Sequence, residues 1–89
     1  MLRITTIAES PSLTTLKLEG RIVSDWVSLL ERECLTLLQE KQQVLLDLSD
    51  VLFIDARGVE MLKRIANENL EVINSSAFIE SLLRGEGDQ

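Results

Sequence analysis

The sequence predicts an α/β fold with a mixed sheet, its elements in the order β-β-α-β-α-β-α. Three observations predict it. Two short segments rich in Thr, Ile and Leu flank the turn-forming Ser10, Pro11 and Ser12; an almost continuous apolar run, VLLDL, follows an amphipathic stretch; and further strand-like and helix-like patterns then alternate to the C-terminal end. At 89 residues the chain has room for one core, so residues 1–84 are read as a single domain and residues 85–89 as a flexible C-terminal tail.

Residues 2–8 and 13–19 form the expected hairpin, with Leu16 and Leu18 on the buried face, Lys17 and Glu19 on the wet one, and Gly20 at the strand's end. From Ser24 or Asp25 the period changes. Trp26, Leu29, Leu30, Cys34, Leu37 and Leu38 recur at helical spacing opposite Glu31, Arg32 and Glu40, which predicts a helix of about four turns. Residues 44–48 read as a central strand, with Ser49 and Asp50 as turn formers after it. Val59, Leu62, Ile65, Ala66 and Asn69 mark a second helix, residues 70–74 a short strand, and residues 75–83 a third helix capped by Ser75 or Ser76. Strand-helix-strand units imply right-handed crossovers and parallel later strands.

Composition narrows the function. A net charge of −6 repels a phosphate backbone, so nucleic acid is not an expected partner. No apolar stretch reaches the roughly 20 residues that span a bilayer, and the N-terminal residues alternate rather than forming a signal-peptide core, which reads as a cytoplasmic protein without direct membrane insertion. The absence of His and the single Cys remove His-dependent triads and the common zinc sets, leaving no expected metal or catalytic residue. Cys34 lies on an apolar helical stripe and reads as a buried small hydrophobe. No G-x-x-x-x-G-K-[ST] loop is present, and no cofactor is expected.

The informative segment is DLSDVLFIDARG, residues 47–58. A strand running into a helix collects the first helical N–H groups at one sheet edge, where Asp55 suits the N-cap. Gly58 costs the helix about 1 kcal/mol relative to Ala, so a close approach must favour it, either from a loop of the same domain or from a partner. Arg57 stands in a first turn where the macrodipole disfavours a cation, and its planar guanidinium suits an interface. Asp47, Ser49, Asp50 and Asp55 also gather near this end of the strand, where an acidic pocket is conceivable and turn formation is the simpler explanation.

The segment VLLDLSDVLFIDARGVEMLKRI resembles the signature of the STAS family, the domain of anti-sigma factor antagonists and sulphate transporter tails, with its D-S-x-G before an amphipathic helix. LEGRIV at 18–23 and INSSAFIESLL at 73–83 resemble two further family stretches in the expected order. The resemblance implies a STAS-like fold and a phosphorylated serine at the position held here by Ala56, which has no hydroxyl. Arg57 then brings a positive charge beside the place where a phosphate would carry about two negative ones. Val23 and Ala77 stand where the family has an aspartate and a proline.

The resulting expectation is a non-catalytic protein-interaction module resembling an anti-sigma factor antagonist that cannot be phosphorylated at the usual position. Its partner is a protein, of which a kinase-type anti-sigma factor is the natural example, and its contact residues are Asp55, Ala56, Arg57, Gly58, Glu60 and Met61. Two alternatives are a STAS subunit of a membrane transporter complex and a sensor of small nucleotide or phosphoryl ligands. A homodimer through an exposed sheet edge is a further expectation.

Overall fold

The computed structural model describes residues 1–40 and 42–85, so the expected tail is outside the described residues from 86 onward. Its elements are β1 (Leu2–Glu9), β2 (Leu13–Ile22), α1 (Asp25–Gln39), β3 (Gln43–Ile54), α2 (Ala56–Ile65), β4 (Leu70–Ile73) and α3 (Ala77–Arg84), the order read from the sequence. Among the described residues they make one four-stranded sheet in the order β1-β2-β3-β4, antiparallel between β1 and β2 and parallel thereafter.

The hairpin turn is fixed by side chains suited to it. The Ser10 amide donates to the Leu13 carbonyl (2.8 Å), and the Leu13 amide donates to Ser10 Oγ (3.1 Å). Gln42 ties this turn to the start of β3: its Nε2 donates to the Pro11 carbonyl and its Oε1 accepts from Thr14 Oγ1. The two crossovers run the same way across the sheet, and α1 touches α2 as α2 touches α3, so the helices share one face. The core lies between that face and the helices, built from Leu16, Leu18, Val44, Leu46 and Leu48 of the sheet with Leu30, Cys34, Met61, Leu62 and Ile79 of the helices. The other face carries the charged alternate positions of β2, with the Lys17–Asp50 ion pair (3.0 Å), beside the partly buried Leu45 and Ile73.

Three boundaries differ from the sequence reading. Gly20 does not end β2: it sits inside the strand at φ +107°, opposite Val51, and a Cβ there would collide with the Met1 carbonyl. Ser49 and Asp50 form no turn, because β3 continues to Ile54 by pairing with the end of β2. Two bulges make this fit: residues 17 and 19 of β2 pair with 47 and 50, and residues 20 and 21 with 51 and 53. Helix α2 stops at Ile65, short of the apolar pattern running to Asn69, because Ala66 is extended and the Asn67 side chain receives the Asn69 amide in a tight turn. Of the two proposed caps for α3, Ser76 serves: its Oγ accepts from the Ile79 amide at 3.1 Å.

Candidate functional site

The β3–α2 junction is built around one carboxylate. Asp55 Oδ1 accepts from the Gly58 amide at 2.8 Å, the N-cap bond its position predicts. Its second oxygen is used as well: Oδ2 accepts from the Ser24 amide at 3.0 Å, in the link between β2 and α1. Ser24 has φ 54° and ψ −131°, a conformation seldom adopted by a residue with a Cβ, and its hydroxyl makes no cap of its own for α1. Asp55 therefore holds two helix starts together. A third tie comes from the backbone, where the Asp55 amide donates to the Ile22 carbonyl at 3.1 Å.

Gly58 is buried, and the approach that favours it is internal. A Cβ there would lie 2.7 Å from Ile54 Cγ1, 3.1 Å from the Ile22 carbonyl oxygen and 3.2 Å from Ile22 Cγ2. The neighbours are the ends of β3 and β2, within the same domain, where the sequence reading offered a loop or a partner. Ala56, Arg57 and Glu60 are exposed along the first turns of α2, with Asp55 half-buried behind them. Met61 has to be removed from the contact surface. It is wholly buried, because it lies on the inward stripe with Gly58, Leu62 and Ile65.

The other candidates fall elsewhere. Asp47 Oδ1 accepts from the Ser49 amide at 2.9 Å, and this backbone bond, followed by the Ser49 hydroxyl, holds its carboxyl below the usual range. Asp50 is paired with Lys17, whose ammonium is raised by the same contact. Neither converges with Asp55, which is occupied by two amides, and the described residues contain no group of three or more His, Cys, Asp or Glu placed to hold a metal. Trp26 is half-buried and packs against the core. Cys34 is fully buried.

One feature was missed by the sequence reading. Beside the junction, the end of β3, α2 and α3 enclose an open cleft of about 410 Å³, lined by Phe53, Val59, Lys63 and Leu82 among others. Phe53, one of its lining residues, also meets Phe78, with ring centroids 6.4 Å apart.

The family model of the STAS domain matches residues 5–72, which includes most of β1, all of β2, α1 and β3, and the whole junction. The chain belongs to the STAS domain family. Solved structures show the same fold. The anti-sigma factor antagonist SpoIIAA in its unphosphorylated form is 14% identical, with a TM-score of 0.68 over 92% of this chain and 82% of that one. An anti-sigma factor antagonist from Mycobacterium paratuberculosis is also 14% identical, with a TM-score of 0.69 over 99% and 81%. The Bacillus cell fate determinant SpoIIAA in its phosphorylated form gives 14% and a TM-score of 0.63 over 98% and 84%. No curated protein sequence matches the chain. This STAS domain has no helix, among its described residues, long and apolar enough to cross a membrane.

The double use of Asp55 has a measurable consequence. Asp55→Ala leaves two amides without their acceptor and is expected to cost about 2 kcal/mol of stability, at the upper end of measured cap losses. Asp55→Asn keeps one acceptor oxygen and should lose about half as much. Urea unfolding followed by Trp26 fluorescence measures both, and hydrogen exchange at the Ser24 amide should quicken in each. Equal stability of wild type and Asp55→Ala would mean that the junction is held by packing alone.

Proposed function

We propose that this STAS domain is a non-catalytic interaction module whose contact surface is the exposed part of the junction, Ala56, Arg57 and Glu60, with Asp55 half-buried behind them. The observation that carries the reading is the division at residues 55–58. Asp55 and Gly58 are spent on holding the junction to β2, while Ala56 and Arg57 are presented outward with no internal task. Among the described residues Arg57 has no hydrogen-bond or ion-pair partner, although it stands where a helix disfavours a cation. A protein partner offering a carboxylate or backbone carbonyls would supply what Arg57 lacks.

The solved antagonist structures include phosphorylated and unphosphorylated forms of SpoIIAA. In the proposed reading, Ala56 takes the acceptor position, so the module stays in its binding state and a kinase-type anti-sigma factor can hold it without modifying it. The test uses such a factor from the same cell, with labelled ATP. It should bind the wild-type domain without transferring phosphate, should bind Arg57→Glu at least about tenfold more weakly, and should phosphorylate Ala56→Ser. Phosphate incorporated into the wild type, or unchanged binding of Arg57→Glu, would overturn the proposal.

A further inference from the structure

The helices are not held alike. Helix α1 buries Val27, Leu30 and Cys34, and α2 buries Gly58, Met61, Leu62 and Ile65, whereas α3 buries Ile79 alone. Leu82 and Leu83 are only partly covered, and Phe78 is 54% exposed where it meets Phe53. Burial is what fixes a short helix to a sheet, so α3 has the weakest seat.

Its surroundings weaken that seat further. The open cleft lies between Val59 and Lys63 on α2 and Leu82 on α3, so contact between the two helices is interrupted there. A gap of this kind removes dispersion contacts that would otherwise hold a helix in place. The side-chain bonds compare in the same way. Arg64 of α2 reaches Glu31 of α1, and Asp55 ties the starts of both helices, while the bonds of Ser76 to Ile79 and Arg84 to Glu80 support α3 from within.

The connection from β4 is suited to a pivot. Asn74 stands at φ 59°, a left-handed conformation that asparagine tolerates better than most residues, and its side chain hydrogen-bonds the Asp47 carboxylate of β3. The chain is thus anchored as far as Asn74, and only Ser75 and Ser76 separate this anchor from the start of α3.

We infer that α3 is a releasable strap, which leaves β3 and α2 as one unit by pivoting after Asn74 while the sheet, α1 and α2 stay folded. Eight residues are too few for a helix to persist alone in water, so the released strap melts. Its release bares Phe53 and Val59 beside Ala56, and the apolar surface next to the junction widens. The opening belongs to the domain alone, so it goes beyond the contact surface proposed above and stands or falls without it.

Native-state hydrogen exchange of the full chain, over urea concentrations below the unfolding transition, tests the strap. The amides of residues 80–84 should share one opening with a small but finite urea dependence, and be protected at least about hundredfold less than residues 44–48 and 61–65. Ile79→Ala removes the buried anchor and should quicken exchange at residues 80–84 by at least about thirtyfold. Val27→Ala, on α1 with α2 between it and α3, separates local release from global unfolding. It should quicken β3 and α2 by about tenfold and leave residues 80–84 unchanged, because a cavity under α1 favours only openings that undo α1. One protection level shared by α3 and β3, an equal response of both to Val27→Ala, or exchange that runs inward from Arg84 without urea dependence would each overturn the inference.

Discussion

Gly58→Val should lower stability by about 3 kcal/mol, a large share of what a domain of this size has, and displace the thermal midpoint downward by roughly 12–24 °C. A side chain at this position meets the Ile22 carbonyl and the side chains of Ile54 and Ile22, all within 3.2 Å of where the first carbon would stand. The carbonyl cannot swing away, since it receives the Asp55 amide. Relief would require α2 to lift from the end of β2, which would break the Asp55 ties as well. Gly58→Ala gains about 1 kcal/mol of helix propensity against a smaller collision, so it should fall between the two. Urea and thermal unfolding measure both, and a Gly58→Val domain as stable as wild type would show that the junction is much softer than its geometry implies.

The second large effect is alkaline. Burial, reinforced by the carboxylates of Glu33 and Glu31, pushes the Cys34 thiol up to about 12. The unfolded chain releases that proton near pH 9, whereas the folded chain keeps it, so unfolding releases a proton over the interval and stability falls as pH rises. The full contribution is present below about pH 9 and is lost progressively toward pH 12, at about 1.4 kcal/mol per pH unit and about 4 kcal/mol in all. Cys34→Ala lacks this term. Its stability deficit at neutral pH should therefore shrink as pH rises, and the chain's lack of tyrosine lets thiolate absorbance be read without a phenolate background. Parallel stability curves for the two proteins would show that Cys34 is titrating freely in the native state.

Element order was legible because each element is short and carries its own period: Leu16 and Leu18 alternate, while Leu30, Cys34 and Leu37 recur at helical spacing. The extent of β3 was not legible. Ser49 and Asp50 are turn formers by local preference, and they lie within a strand here because β2 offers Glu19 and Gly20 as partners to Asp50 and Val51 from about thirty positions away. The site divided in the same manner. Asp55 as a cap follows from its neighbours in the chain, but its second bond to Ser24 and the contact of Gly58 with Ile22 are long-range facts. Met61 could have been placed correctly, since Gly58, Met61, Leu62 and Ile65 form one stripe, and its closeness to the junction concealed that.

The two bulges of β3 also bear on how the chain can change in length. Along this strand the buried positions are 44, 46, 48, 51 and 54, so the interval widens from two residues to three where each extra residue is taken up. In an even strand, gaining or losing one residue turns every later side chain to the opposite face. Here the odd residues already sit at places where the pairing with β2 skips, on the outward side of the sheet. Removing one from a bulge would restore plain alternation and leave Asp55 facing Ser24, whereas a deletion between positions 44 and 48 would turn the core outward. The strand leading to the site thus contains two expansion joints, and a change of length there is the kind that the junction beyond it can survive.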